Sequence, residues 1–203
     1  MKVKLTQGEL KRQRDALQQY ERYLPTLQLK KQLVQLEIVH QQGTLREKEA
    51  SLSGKKKATE PWAGLLGEFP GIRQWILPEK IITRKKNVAG VDWPVFECVD
   101  FAPAEYDLFL SPLWVDAGVD ALREMVSLQE EMRVMEQGLA VLRHELRIIT
   151  QRVNLFEKVK IPETKEAIRL IKIYIGDQMA NAVGRSKIAK DKIEEANGQG
   201  VTV

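Results

Sequence analysis

Apolar residues return every seven positions through the last part of this chain. Met125, Met132, Leu139, Leu146 and Val153 form one row, and Leu128, Met135, Leu142, Ile149 and Phe156 form a second, three residues on. An α-helix turns once in about 3.6 residues, so two such rows merge into one narrow stripe, and a stripe kept apolar over this length is a coiled-coil seam. The first part of the chain offers a looser partner. Val3, Leu10, Leu17, Leu24, Ile38, Leu45 and Leu52 make one row, interrupted only by Lys31, and Tyr20, Leu27 and Val34 make the other. A helical bundle would show similar rows, but it would need more than the two long helices available. The sequence therefore predicts a mainly α fold: a long antiparallel two-helix coiled coil with a small middle region containing a β-hairpin and short helices.

Glycine and proline mark the divisions. Helix one runs from Leu5 to about Leu52 and is expected to stop at Ser53-Gly54 and the lysines 55 to 57, because glycine suits a helix C-cap and cations suit a helix C-terminus. Six of the eight prolines lie between residues 58 and 116. The expected organisation is an N-terminal coiled-coil helix over 1–57, a middle region over 58–116, and a C-terminal coiled-coil helix with a short Gly-rich tail over 117–203. In the middle region, Ile81-Ile82-Thr83 and Val95 to Val99 read as strands joined through Asn87-Val88-Ala89-Gly90, where glycine supplies a positive φ. All four tryptophans fall here, with Leu65, Leu66, Phe69, Ile72, Ile76, Leu77, Tyr106 and Phe109. They either form a small core at one end of the coiled coil or anchor a partner, since tryptophan is a common interface anchor; Trp62, Trp75 and Trp93 are the candidates for the second role.

Two antiparallel seams fix the sum of paired positions only modulo seven. A sum of 187 pairs Val34 with Val153, Ile38 with Ile149, Leu45 with Leu142 and Leu52 with Met135, and it also sets Pro25 opposite Pro162; 180 and 194 remain open. At 1.5 Å per residue the helices would extend about 70 Å and 110 Å. Each proline removes a backbone hydrogen bond and is expected to bend its helix.

Chemistry is sparse in this composition. Only 6% of residues are aromatic and 30% are charged. No phosphate loop exists, since Glu49 stands where the first glycine would be needed before Gly54-Lys55. His40 and His144 have no second histidine nearby and are assigned no chemistry. Cys98 cannot form an intrachain disulfide and reads as a packed strand thiol. Glu130-Glu131 and Glu194-Glu195 have the spacing of a solvated helix face. No catalytic residue, cofactor or metal site is expected. No stretch approaches the ~20 apolar residues of a membrane span, and the Met1 end has no apolar signal core. Charge is uneven, about +7, −4 and +1 over the three regions. Lys2, Lys4, Lys11, Arg12 and Arg14, with Arg185, Lys187, Lys190 and Lys192, are expected to meet at one positive tip. No aromatic residue is interleaved with them for base stacking, so a protein partner is favoured over nucleic acid.

The stretch LTQGELKRQRDALQQYERYLPTLQLKKQLVQLE, with TQRVNLFEKVKIPETKEAIRLIK, closely resembles the D subunits of the rotary V/A-type ATPases and ATP synthases. Leu24-Pro25-Thr26-Leu27-Gln28-Leu29-Lys30-Lys31, Arg152-Val153-Asn154 and Ile161-Pro162 carry the match, and the order of regions fits nearly the whole chain. The resemblance implies a non-catalytic central-stalk rotor protein. Its paired termini would enter the hexamer of A and B subunits, while the other end would bind the small F subunit and sit on the funnel-like C (or d) subunit above the membrane ring. The site would be cytoplasmic, reaching the membrane only through the complex. Lys11, Arg14, Arg152, Asn154, Lys187 and Lys190, beside the three tryptophans, are then the expected partner contacts. A coiled-coil adapter or structural spacer is the alternative reading of the heptads.

Overall fold

The computed structural model describes residues 4–68, 71–107 and 111–199, with side chains described to residue 195. Expectations placed on Lys2, Val3, Phe69, Phe109 and Gly200 lie outside the described residues. Helix α1 spans Gln7–Thr59, a 3-10 segment Glu60–Gly67 and a short α2 Ile72–Ile76. Strands β1 (Pro78–Val88) and β2 (Val91–Phe101) follow. Helix α3 (Val115–Leu155) passes through a π turn, Phe156–Lys160, into α4, Ile161–Gln199. The fold is the expected one, two long helices with a two-stranded antiparallel hairpin between them in sequence.

Two details of the helices differ from expectation. Helix α1 continues through Gly54, where nothing crowds the backbone, and ends only where Thr59 leads into Pro61. Pro25 also lies within it, so the chain carries this proline without leaving the helix. In the second long segment the helix is interrupted before Pro162: the Ile161 N–H donates to the Phe156 carbonyl, five residues back rather than four. Proline lacks the N–H that an α-helix would direct at Lys158, and its ring crowds that carbonyl. The wider turn relieves both constraints.

The contacts divide the chain into two compact units. The larger is Leu29–Thr150. Within it Val34, Ile38, Leu52, Met135, Leu139, Leu142 and Ile149 are buried as the heptads require. Gln41, seven residues beyond Val34, is buried too, and its amide donates to Glu37 Oε1 at 2.9 Å. A polar residue thus holds a seam position that the apolar pattern alone would not assign. Lys48 pairs with Glu131 at 3.0 Å and Lys55 with Glu124 at 2.6 Å. Both pairs have positions adding to 179, one short of 180 and eight short of 187, so the register is the 180 alternative; Leu45 is level with Met135, not Leu142.

The hairpin is longer than the five-residue strand suggested. Ala89 (φ 51°) and Gly90 (φ 76°) form its two-residue turn, and two left-handed residues match the twist of the flanking strands. Asn87 stabilises the turn: its Oδ1 accepts from the Gly90 N–H at 3.0 Å, and its Nδ2 donates to Asp92 at 2.5 Å. The sheet lies against α3 at Gly138. A Cβ there would come within 2.6 Å of the Trp93 ring and 3.1 Å of the Pro94 carbonyl, so glycine is what allows the strand so close. Lys86 holds the α1 side, 3.3 Å from Glu37 and 5.6 Å from the Trp93 ring centre.

A second core joins Ile72, Trp75, Val115 and Val119, with Leu66, Ala104, Tyr106, Trp114 and Leu122 packed around it. Arg123 fastens it from α3. Its Nε donates to the Trp75 carbonyl at 2.9 Å and its Nη2 to the Ala102 carbonyl at 2.5 Å, while the guanidinium lies 5.4 Å from the Phe101 ring centre. Trp75 and Tyr106 stack at 4.9 Å, and the Tyr106 hydroxyl donates to Asp116. That bond, first, and burial hold the Tyr106 hydroxyl above its ordinary pKa.

The smaller unit is Met1–Gln28 with Gln151–Val203. Here Val153, Thr164, Ala167, Ile168 and Ile171 are buried, Tyr20 and Phe156 stack at 5.3 Å, and Lys165 pairs with Glu21 at 3.0 Å. The cross-helix contacts bracket the register, Tyr20 with Phe156 adding to 176 and Lys165 with Glu21 to 186, so this unit centres near 181. Pro25 and Pro162, which add to 187, are therefore about 9 Å out of level along the helices. The expected opposition of the two prolines does not occur, because one heptad of register separates the two arrangements and the repeat by itself does not choose between them.

Candidate partner-binding surfaces

A helix face that stays apolar and exposed is the clearest mark of a surface made for another molecule. In the smaller unit, α1 begins at Gln7, level with about residue 174 of α4 in the observed register. Beyond Ile175 the α4 helix has no α1 residue alongside it, and Gly176 to Glu195 are all exposed. This stretch still carries Met179, Val183, Ile188 and Ile193, each more than half exposed. Ile175, Met179, Ala182, Ser186, Ala189 and Ile193 are spaced alternately four and three apart, which puts them on one face. Its cations lie among acids, and Lys190 is 3.5 Å from Glu194.

The larger unit has its own exposed row. Leu29, Leu33, Leu36 and Val39 lie on the outer side of α1, from 45% to 70% exposed, away from buried Val34 and Ile38. The sequence contains this row at three- and four-residue spacing. Periodicity alone does not separate it from the seam row beside it, which has the same residue types.

The residues expected to contact partners fall into three groups. Lys11 and Arg14 are exposed on α1, in an open groove of about 540 Å³ shared with Gln7, Leu10, Asp15 and Ile175. Lys187 and Lys190 are exposed on α4, but the two pairs do not meet as one tip: Lys11 is level with about residue 170, so Lys187 lies about 25 Å farther along α4. The longer second helix separates them. Arg152 and Asn154 are exposed on either side of buried Val153, in the last turn of α3. Trp62 is half-buried in the 3-10 segment, whereas Trp75 and Trp93 are 7% and 2% exposed. The last two are enclosed by their own chain, Trp75 in the core with Ile72, Val115 and Val119 and Trp93 against α3 at Gly138.

Cys98, paired with Ile82 next to a bulge in the strand register, is exposed rather than packed. His40 and His144 are exposed on their helices. Among the described residues no group of three or more His, Cys, Asp or Glu side chains could hold a metal ion, and no helix is long and apolar enough to cross a membrane.

These features define a class: paired long helices, closed by a heptad seam, bearing a compact hairpin insertion and leaving apolar helix faces exposed. The family model for the ATP synthase D subunit matches residues 9–191, and the chain belongs to that family. Among curated proteins it is similar to the V-type ATP synthase D subunit of Borreliella burgdorferi, 39% identical over 196 residues and 97% of each chain. It is also similar to those of Chlamydia felis, 33% identical over 95% of this chain and 94% of the relative, and Chlamydia pneumoniae, 32% identical over 98% and 97%.

Proposed function

We propose that this chain is the central rotor shaft of a V/A-type rotary ATPase or ATP synthase, passing torque between the catalytic A and B subunits and ion movement through the membrane ring. It contributes no catalytic group of its own. Its work is mechanical: an asymmetric set of helix faces contacts each catalytic site differently, and a difference in contact energy biases that site between open and closed states. The observation that carries this reading is α4 beyond Ile175, where apolar Met179, Val183, Ile188 and Ile193 are exposed with no residue of α1 alongside. End-to-end similarity to proteins named as V-type ATP synthase components supports it.

In this reading the free end of α4, with Lys187 and Lys190, enters the A and B hexamer, along with Lys11 and Arg14 of α1. Arg152 and Asn154 face partners near the π turn. The exposed Leu29, Leu33, Leu36 and Val39 row fits a smaller partner such as the F subunit. The region around Trp62 rests on the C (or d) subunit at the cytoplasmic side of the membrane. Co-purification with the A, B and F subunits tests the assignment. Met179→Asp with Val183→Asp should abolish recovery with A and B while retaining F; undiminished recovery of A and B would reject it.

A further inference from the structure

Two rows of residues run along the paired part of α4, one position apart. The first is Ile161, Thr164, Ile168, Ile171 and Ile175, and it faces α1, with Thr164, Ile168 and Ile171 buried. The second is Lys160, Glu163, Ala167, Leu170 and Tyr174, which is where the α3 heptad would continue if it ran on in steps of seven. Leu170 is 45% exposed and Tyr174 39%. From Val153 to Ile161 the seam takes a step of eight, and the π turn at Phe156–Lys160 holds the additional residue.

A groove of about 500 Å³ opens beside the seam on the side of the second row. Lys160 of the π turn and Glu163, Ala167 and Leu170 of α4 line it beside Thr164 of the first row, and Gln13, Ala16 and Tyr20 line it from α1. Four of the five residues that an uninterrupted heptad would place in the seam thus border unfilled space next to it, Ala167 being already buried at its edge.

We propose that the π turn is a register switch. When the additional residue moves along α4 from the Phe156–Lys160 turn toward Gly176, the helix between them turns by about 100°. The second row then replaces the first against α1 and fills the groove. Passing a π turn along a helix exchanges five-residue for four-residue hydrogen bonds one at a time, and Gly176 has open space around it to receive the distortion. Two features hold the present state. The first row offers four isoleucines to the seam, whereas the second brings Lys160 and Glu163 with its apolar residues. In the shifted state Pro162 would lie in a regular α-helix, with its ring against the Lys158 carbonyl. The shifted packing is a minor state that a partner touching Leu170 or Tyr174 would deplete and one touching Ile168 or Ile171 would enrich. The inference concerns the chain alone and does not rest on the rotor assignment.

Thiol labelling of the full chain tests it. In a Cys98→Ala background, Ile171→Cys places a reporter in the first row, and Leu142→Cys in the larger unit reports global unfolding. The switch requires Ile171→Cys to react faster than Leu142→Cys. Adding Leu170→Asp, which puts a carboxylate in the shifted seam, should slow the Ile171→Cys reaction at least about tenfold. Adding Pro162→Ala should instead speed it at least about tenfold. Should the reporter cysteine itself disturb packing, amide exchange at Ile168 and Ile171 in the chain with its native side chains should respond to the same two substitutions in the same directions. Equal rates in the three backgrounds, or reaction no faster than at Leu142→Cys, would overturn the proposal.

Discussion

The two units contain the same kind of helix pair but use their apolar residues differently. In Leu29–Thr150 the seam is covered on one side by the hairpin, and Val34, Val115 and Leu142 have no exposed surface. In Met1–Gln28 with Gln151–Val203 the seam has lost its strict heptad, ends near Ile175, and leaves Leu170, Ile173, Met179, Val183, Ile188 and Ile193 exposed. Fully burying such a side chain contributes about 1.5–3 kcal/mol, and the smaller unit forgoes much of that within its own chain. One unit is built to hold its form; the other presents apolar surface outward.

The contrast can be broken most directly at the two seams. Leu142→Ala should destabilise the larger unit by about 4 kcal/mol, while Leu170→Ala should cost under about 1 kcal/mol because that side chain is already half in solvent. Urea unfolding followed by circular dichroism measures both. Comparable losses would mean that the smaller unit depends on the second row as well.

Next comes the hairpin's seat. Gly138→Leu forces the Trp93 ring off α3 and should cost about 3 kcal/mol, even though leucine favours a helix over glycine by about 1 kcal/mol. A red shift of tryptophan emission at lower urea would accompany it. Arg123→Ala removes two hydrogen bonds from a charged donor and should cost about 2 kcal/mol, seen as an earlier unfolding midpoint of the core around Trp75 and Tyr106.

Ala89→Gly should act in the opposite direction. Alanine at a φ of 51° carries a left-handed penalty of about 1 kcal/mol that glycine does not, and relief of it should raise the melting temperature. The smallest effect belongs to the smaller unit. Arg169, 2.7 Å from Glu166, holds that carboxyl below its ordinary pKa of 4.5, chiefly through their hydrogen bond. A depressed carboxyl pKa stabilises the folded chain above the unfolded value and loses that contribution as pH falls through the folded one. Glu166→Gln should therefore lower stability slightly near neutrality, with the difference vanishing as pH falls well below 4.5, as an acid titration of unfolding would show.

Local sequence was enough to identify several elements. Rows seven apart implied two long paired helices, because only a 3.6-residue turn brings such positions to one face. Asn87 with Gly90 implied the turn, because few residues accept a positive φ. The resemblance of Leu24 to Lys31 and Arg152 to Asn154 pointed to the family that end-to-end similarity then established, whereas Glu130-Glu131, read as a solvated face, are only 14% and 23% exposed, with Glu131 paired to Lys48. What stayed hidden was whatever depends on a distant segment: nothing near Trp93 in sequence says that Gly138 lies beneath it, and nothing near Gln41 says that an amide would occupy the seam.

By itself, then, the sequence determined the helix pair, the hairpin and the membership in the family, since periodicity, turn chemistry and end-to-end similarity are all written along the chain. Only the tertiary structure decided the register near 180, the burial of Trp75 and Trp93, the length of α4 left without α1 beside it, and the π turn that moves the seam by one residue. The physical reason is that a heptad repeats: every seventh alignment satisfies the same local pattern, and the choice among them is made by side chains that meet across the fold.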